Sequence, residues 1–373
     1  MYLKKKNLAD QKKLAICIVN THFMDKVGGS QLQCDIIAEE LQKRGHKVTY
    51  IAIDGRPMSY NRNYNVVPVE RDGYKIGQKI SEIKPDVLYW RFNKKFFYKS
   101  VKTAEKAVGK IVFAVSNITD LQPYSASLKK PLRFNSVKKY VQKNLVSRYN
   151  HLGFQYVDAL TVNNENQLSL SPITPCIYVP NAIYAEFDDF SWAKPFILWV
   201  ANIKHRKRPE IFITAAEKFI DNEIDFLMMG KIEDSSYNWI QQRSRVPNNL
   251  HYLGPKDIQT VNAALRQTLF LSTTSTPEGF SNNIIQAWCQ QKPVVAFEFD
   301  PSGLIQKHEL GMVSGGDTGQ YLKNLNEMIT NTKLRKKLGK NAYQFVNKHF
   351  SKKKTVDLLE ELFFKISENM VKK

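Results

Sequence analysis

Only four cysteines occur in 373 residues, Cys17, Cys34, Cys176 and Cys289. They lie far apart in apolar contexts, so neither a disulfide framework nor a thiolate metal site is spelled out, and a reducing cytoplasm fits that usage. No apolar run approaches the ~18 residues needed to span a bilayer. Leu14 to Val19 follows a lysine-rich start, but it is too short for a signal peptide and no small-residue cleavage site follows it. It reads instead as a first buried strand. The chain also lacks G-x-G-x-x-G and a P-loop lysine, which argues against a dinucleotide dehydrogenase or an NTPase. No Asp-x-Asp pair suggests a bound metal, and no RNA-binding or helix-turn-helix signature is present. There is no Pro/Ser-rich linker and no internal repeat.

Acid is scarce on one side of the chain. Fifty-five Lys and Arg face 35 Asp and Glu, a net charge of +20. Residues 1–180 hold 29 basic and 14 acidic side chains, and residues 181–373 hold 26 and 21. The positive field therefore belongs to the N-terminal half. It is densest from Lys129 to Asn150, where Lys129, Lys130, Arg133, Lys138, Lys139, Lys143 and Arg148 meet no acid. Leu132, Phe134, Val137, Tyr140, Val141, Leu145 and Tyr149 are interleaved with them. Such a segment suits an anionic membrane surface, each near-surface cation contributing about 1 kcal/mol. It also suits a polyanionic acceptor, and it is equally the composition of a solvated basic face.

What the chain has is alternation. Leu14 to Val19 is a strand, and Ser30 to Arg44 places Leu32, Ile36, Ile37 and Leu41 at helical spacing. Gly45 ends that helix, and His46 to Ile53 returns as a strand. Asp86–Trp90, Ile111–Val115 and Ala159–Val162 read as further strands. A second series begins at Phe196–Val200 and continues through Phe226–Gly230, the Thr268–Thr274 strand and Lys292–Phe297. Strands alternating with helices predict an α/β architecture with parallel sheets, and the length suggests two or three domains. At the end of the chain Val356, Leu359, Leu362, Phe363, Ile366 and Met370 mark an amphipathic helix.

The most informative stretch runs from Thr276 to Trp288. It follows the apolar strand Leu269–Thr274 and leads into a helical pattern. A carboxylate, Glu278, stands at the strand's carboxyl end, and Gly279 permits close backbone approach to a ligand. The amides of Phe280 and Ser281 open a helix N-terminus, where orphan N–H groups and the helix dipole favour a phosphate. A simple strand–turn–helix would carry the same pattern. Gly28-Gly29-Ser30-Gln31 forms a comparable turn after the first strand.

The segment Glu278 to Ala287 resembles the E-x7-E signature of retaining nucleotide-sugar glycosyltransferases of the GT-B fold, family 4 in particular. The resemblance implies two Rossmann-like domains facing each other across a cleft. It further implies that Glu278 faces the donor sugar, that Gly279, Phe280 and Ser281 hold the diphosphate, and that Gln286, standing where the family has a second glutamate, binds the ribose. Glutamine still donates to and accepts from a hydroxyl. Gly28 and Gly29 resemble the family's G-G-(A/S)-(E/Q) turn near the donor phosphates. Trp199 to Glu210 resembles its V-G-R-L-x-x-x-K-G turn, so Lys207 falls on the lysine that binds the diphosphate. Gly230 completes the donor-binding set. Asn202 replaces the arginine usual at the other position, a lost cation for which Lys204, Arg206 or Arg208 are candidates to compensate. Asn117 stands where many relatives have a histidine, and asparagine cannot titrate near neutral pH. Asp120 is the nearest carboxylate, a candidate to position the acceptor or act as base; as a plain reading it is equally a helix-capping aspartate. His22 follows the first strand and suits either a site or a structural role.

The resemblance implies an acceptor-side domain over 1–182 and a nucleotide-sugar domain over 183–350. The helix over 351–373 would return to the first domain. The expected activity is transfer of a hexosyl group, with retention, from a nucleotide diphosphate sugar to a glycan or lipid-linked acceptor of cell-envelope or polysaccharide synthesis. No resident cofactor or metal is expected, and no nucleic acid. The expected place is the cytoplasm, at the inner face of an anionic membrane. A GT-B nucleotide-sugar epimerase or phosphorylase, and a non-catalytic nucleotide-sugar-binding module, are the alternatives.

Overall fold

The computed structural model describes residues 13–26, 28–57, 59–115, 118–121, 145, 148–184, 186–276 and 280–368. It divides into two compact units, Met1–Pro180 with Lys352–Lys373, and Asn181–Ser351.

In the first unit, seven strands make one sheet: β1 (Ala15–Asn20), β2 (Lys47–Ile53), β3 (Asn65–Val69), β4 (Val87–Trp90), β5 (Lys110–Val115), β6 (Ala159–Val162) and β7 (Cys176–Tyr178). Their order is β3-β2-β1-β4-β5-β6-β7, and every pairing is parallel. Side chains alternate across a strand, so Ile16 and Ile18 enter the core on one face while Cys17 and Val19 enter that on the other. Both faces of the inner strands β2, β1, β4, β5 and β6 are buried, which is why these strands read as apolar runs. β3 carries Pro68 at the sheet edge, where a missing N–H costs no ladder bond. Helices α1 (Gly29–Lys43), α2 (Gly73–Ile83) and α3 (Lys94–Ala104) supply crossovers. Asp72 and Asn93 cap α2 and α3 by accepting first-turn amides.

The second unit repeats the plan with β8 (Phe196–Val200), β9 (Asp225–Met229), β10 (Leu250–Tyr252), β11 (Leu271–Thr273), β12 (Val294–Ala296) and β13 (Gly311–Val313). The order β10-β9-β8-β11-β12-β13 is again wholly parallel. Helices α4 (Pro209–Lys218), α5 (Ile258–Gln267), α6 (Asn282–Cys289), α7 (Thr318–Thr330) and α8 (Thr332–His349) flank it, and two apolar cores cover its faces.

The last helix, α9 (Lys352–Glu368), packs its Val356, Leu359, Leu362, Phe363 and Ile366 into the core of the first unit beside Leu14 and Leu41. A polar clamp fixes its register. Glu360 takes a bond from His46 Nε2 at 2.8 Å on one oxygen and from Arg44 at 2.8 Å on the other. Arg44 also reaches Asp357 at 2.8 Å. Burial by itself would raise the Glu360 carboxyl, but the bonds from His46 and Arg44 and the Arg44 charge hold it below the usual glutamate range.

Candidate functional site

In doubly wound sheets, ligands bind outside the carboxyl ends of the strands where the strand order reverses. In the second unit that point lies between β8 and β11, because β9 and β10 continue one way and β12 and β13 the other. The turns leaving β8 and β11 are the two that carry the candidate phosphate residues.

The turn after β8 is shaped by close backbone contact. Gly230, which directly follows β9, has φ +151°, and a Cβ there would lie 1.8 Å from the Ala201 oxygen. Only glycine fits this place. Beyond it, Asn202 and Lys204 both bind Glu233, at 2.9 and 2.8 Å. The turn His205–Lys207 then delivers Arg208 in the left-handed region, φ 46° and ψ 55°, directly before Pro209 opens α4. Arg208 Nε and an Nη donate to the carbonyls of Thr274 and Ser275 at 2.9 and 3.2 Å. Its guanidinium also lies 2.6 Å from Glu298 and over the ring of Phe297.

The turn after β11 is tied to the first by its threonines. The Thr274 hydroxyl donates to the Lys207 carbonyl at 2.6 Å and accepts from Trp199 Nε1 at 3.0 Å. The Thr276 amide donates to the Arg206 carbonyl at 3.0 Å. Where the chain reaches α6, the buried Phe280 ring packs against Phe350 and Trp288, so this part of the turn hangs on the core. Ser281 caps α6 in extended conformation without a side-chain cap bond. Asn283 in the first helical turn donates to the Val200 carbonyl at the end of β8, at 2.6 Å. Gln286, one turn further, is buried. Glu278 and Gly279 lie outside the described residues.

Of the three cations considered as substitutes for the arginine missing at Asn202, Lys204 is engaged by Glu233, and Arg208 by Glu298 and two carbonyls. Their partners lie within this unit, so neither cation stands unengaged for a ligand. Glu233 and Glu298 carry no local signal in the sequence, and the cross-turn bonds of Thr274 and Thr276 are likewise made only by the fold.

In the first unit the strand order reverses between β1 and β4. Gly28 caps α1 with extended backbone, φ −173°, which any residue adopts. A Cβ there would meet the Gln31 amide oxygen at 2.4 Å, the far end of a flexible side chain that can turn aside, so the packing does not demand glycine. Gly29 begins α1, so its amide belongs to the helix's first turn. His22 is structural. Its Nδ1 accepts the Met24 amide at 3.2 Å, which leaves the proton on Nε2 facing the Tyr64 hydroxyl at 2.9 Å. Tyr64 in turn bonds Asp35, which Arg62 also grips with two bonds. His22 is fully buried, and burial pushes its pKa down despite Asp35.

Asp120 lies on the short helical turn Ile118–Leu121. Its carbonyl accepts from Lys94 Nζ at 3.0 Å, and burial lowers the Lys94 ammonium against the pull of Asp120. Strand order puts Arg91, after β4, and Asn163, after β6, on either side of β5 at this same edge. The buried Asn163 Oδ1 has no hydrogen-bond partner among the described residues. Neither residue was singled out by motif. Asn117 and the basic residues Lys129, Lys130, Arg133, Lys138, Lys139 and Lys143 lie outside the described residues; Arg148 is described and exposed. Among the described residues no cluster of His, Cys, Asp and Glu could hold a metal ion, and no helix is long and apolar enough to cross a membrane.

Two doubly wound sheets with these orders define the GT-B class, and solved structures bear that out at the level of fold. The structure of HepE from Anabaena in complex with UDP and glucose matches with a TM-score of 0.72 at 15% identity, covering 94% of this chain and all of that one. Sucrose-phosphate synthase from Thermosynechococcus elongatus matches with a TM-score of 0.74 at 13% identity, over 94% of this chain and 98% of that one. Residues 194–331 match the family model described as "Glycosyl transferases group 1". An uncharacterized glycosyltransferase of Methanocaldococcus jannaschii is 27% identical over 209 residues, 55% of this chain. The match spans 58% of that relative's length.

Proposed function

We propose that this chain transfers a sugar, with retention of configuration, from a nucleotide diphosphate sugar to a glycan or lipid-linked acceptor. The observation that carries the reading is the pair of cross-linked turns at the carboxyl ends of β8 and β11. They bring the Arg206–Lys207 backbone beside the Thr274–Thr276 backbone within a group 1 glycosyltransferase domain. The HepE structure, of the same fold, holds UDP and glucose, which supports a donor of that class.

In the proposed reaction Lys207 and the amides of Gly279, Phe280 and Ser281 bind the donor diphosphate. A cation and helix N-terminal N–H groups stabilise the charge that grows on the leaving phosphate as the bond breaks. The acceptor oxygen bonds to the anomeric carbon, the anomeric C–O bond breaks, and its electron pair departs with the nucleoside diphosphate. The acceptor proton passes to a leaving-phosphate oxygen on the same face, so no histidine is needed where Asn117 stands. Glu278 faces the donor sugar, Gln286 the ribose, and Asp120 and Asn117 serve the acceptor. No metal is assigned a part, because the chain carries no Asp-x-Asp pair. The basic segment Lys129–Arg148 is assigned to the anionic inner surface of a membrane, where a lipid-linked acceptor of envelope or polysaccharide synthesis resides.

A panel of nucleotide sugars, followed by thermal shift and by nucleoside diphosphate release with and without acceptors, tests the reading. Release that depends on acceptor, with an α-configured product from an α-configured donor, supports it. Conversion of donor without acceptor indicates an epimerase, and a bound pyridoxal chromophore a phosphorylase. Binding with neither transfer nor hydrolysis leaves a non-catalytic module.

A further inference from the structure

Lys207-Arg208 occupies the place of Lys-Gly in the turn that it resembles, yet Arg208 keeps the left-handed backbone that glycine would adopt freely, φ 46° and ψ 55°. A side chain held there needs compensating contacts. Arg208 has them on three sides. Its Nε and an Nη reach the Thr274 and Ser275 carbonyls at 2.9 and 3.2 Å, its guanidinium meets Glu298 at 2.6 Å, and its Cζ stands 4.9 Å from the Phe297 ring centre. These contacts join the turns that leave β8, β11 and β12. The neighbouring links, from the Thr274 hydroxyl to the Lys207 carbonyl and from the Thr276 amide to the Arg206 carbonyl, close the same loop.

We propose that Arg208 is a positioning residue that locks the two donor-phosphate turns together and thereby fixes the backbone from which Lys207 projects. It acts through the turns and not by binding phosphate, because its Nε and one Nη are directed at carbonyls and at Glu298. The inference rests on the donor-site reading for its consequence and on the hydrogen bonds, the Glu298 ion pair and the Phe297 ring contact for the latch. A planar fork is required, since one ammonium cannot span two carbonyls and a carboxylate in this geometry.

The test uses the full chain with Arg208→Gly and Arg208→Lys, probed with UDP and UMP by calorimetry and by hydrogen exchange at the Thr276 amide. Glycine suits the backbone, so Arg208→Gly retains its fold. Its affinity for UDP falls about tenfold or more, the loss of a charge-supported arrangement, while that for UMP changes less than about threefold. Arg208→Lys keeps the charge and shows the same loss. Thr276 exchange quickens in both variants. Full UDP affinity in Arg208→Lys shows that charge, not the latch, is what matters, and overturns the proposal. So does unchanged Thr276 exchange in Arg208→Gly. If the wild-type chain binds no UDP but Thr276 exchange still quickens in both variants, the latch stands and the UDP-donor reading fails instead.

Discussion

Glu360→Ala is expected to loosen the last helix from the first unit by about 3 kcal/mol. His46 is 1% exposed, and its Nδ1 already accepts the Leu14 amide, so its Nε2–H has Glu360 as acceptor. Without the carboxylate that N–H is buried and unpaired, which costs about 1–3 kcal/mol. Arg44, whose side chain is 15% exposed, loses one of its two helix carboxylates but keeps Asp357. The loss of that charged bond adds about 1.5 kcal/mol, discounted because Asp357 stays in place. Glu360→Gln retains an acceptor for His46 and should cost about half as much. The sign with pH follows from the lowered carboxyl. Its contribution is complete above the ordinary glutamate pKa of about 4.3 and is lost as pH falls below it, a dependence absent from Glu360→Gln. Hydrogen exchange of amides in Val356–Ile366, measured from pH 7 down to about pH 3, isolates this helix from unfolding of the other unit. Protection within about 0.5 kcal/mol of wild type in Glu360→Ala would refute the clamp.

Lys207→Ala should weaken nucleoside diphosphate binding by about 1.5–3 kcal/mol and nucleoside monophosphate binding less, and equal losses in calorimetry would contradict its β-phosphate role. Glu278→Ala should lower kcat by about two orders of magnitude with the fold intact, since roughly 3 kcal/mol of positioning is removed; near-wild-type turnover takes this residue out of the site. Gly230→Ala should cost about 3 kcal/mol or more, because its Cβ would lie 1.8 Å from the Ala201 oxygen, and an unchanged melting temperature speaks against the close approach. Anionic liposomes should sediment the chain at low salt and release it as salt rises, and Lys138, Lys139 and Lys143 replaced together with Glu should abolish the effect. Sedimentation of that triple variant at low salt assigns the membrane contact elsewhere.

Where the sequence and the structure diverge, the reason is a contact made by residues far apart in the chain. Lys204 and Arg208 look alike in a basic run as candidate phosphate ligands. Glu233 and Glu298, 29 and 90 positions further on, engage them. His22 looked able to serve a site until Tyr64 and Asp35 enclosed it. The strands β3, β7, β10 and β13 lie at the sheet edges, and β3 carries Pro68; their place comes from a neighbour's ladder.

The sequence by itself determined the alternation of strands and helices, because strands buried on both faces must be apolar throughout and flanking helices must carry a stripe. It also marked the strand–turn–helix at Thr276–Trp288, since glycine, acid and helix-opening residues are local signals. The apolar spacing of the last helix was legible for the same reason. Only tertiary structure decided that this helix lies in the first unit's core, held through Glu360 to His46 and Arg44. Only tertiary structure, likewise, joined the turns after β8 and β11 through Arg208, Thr274 and Thr276. Periodicity records which side of an element is buried, but a hydrogen bond between distant turns leaves no period in the chain.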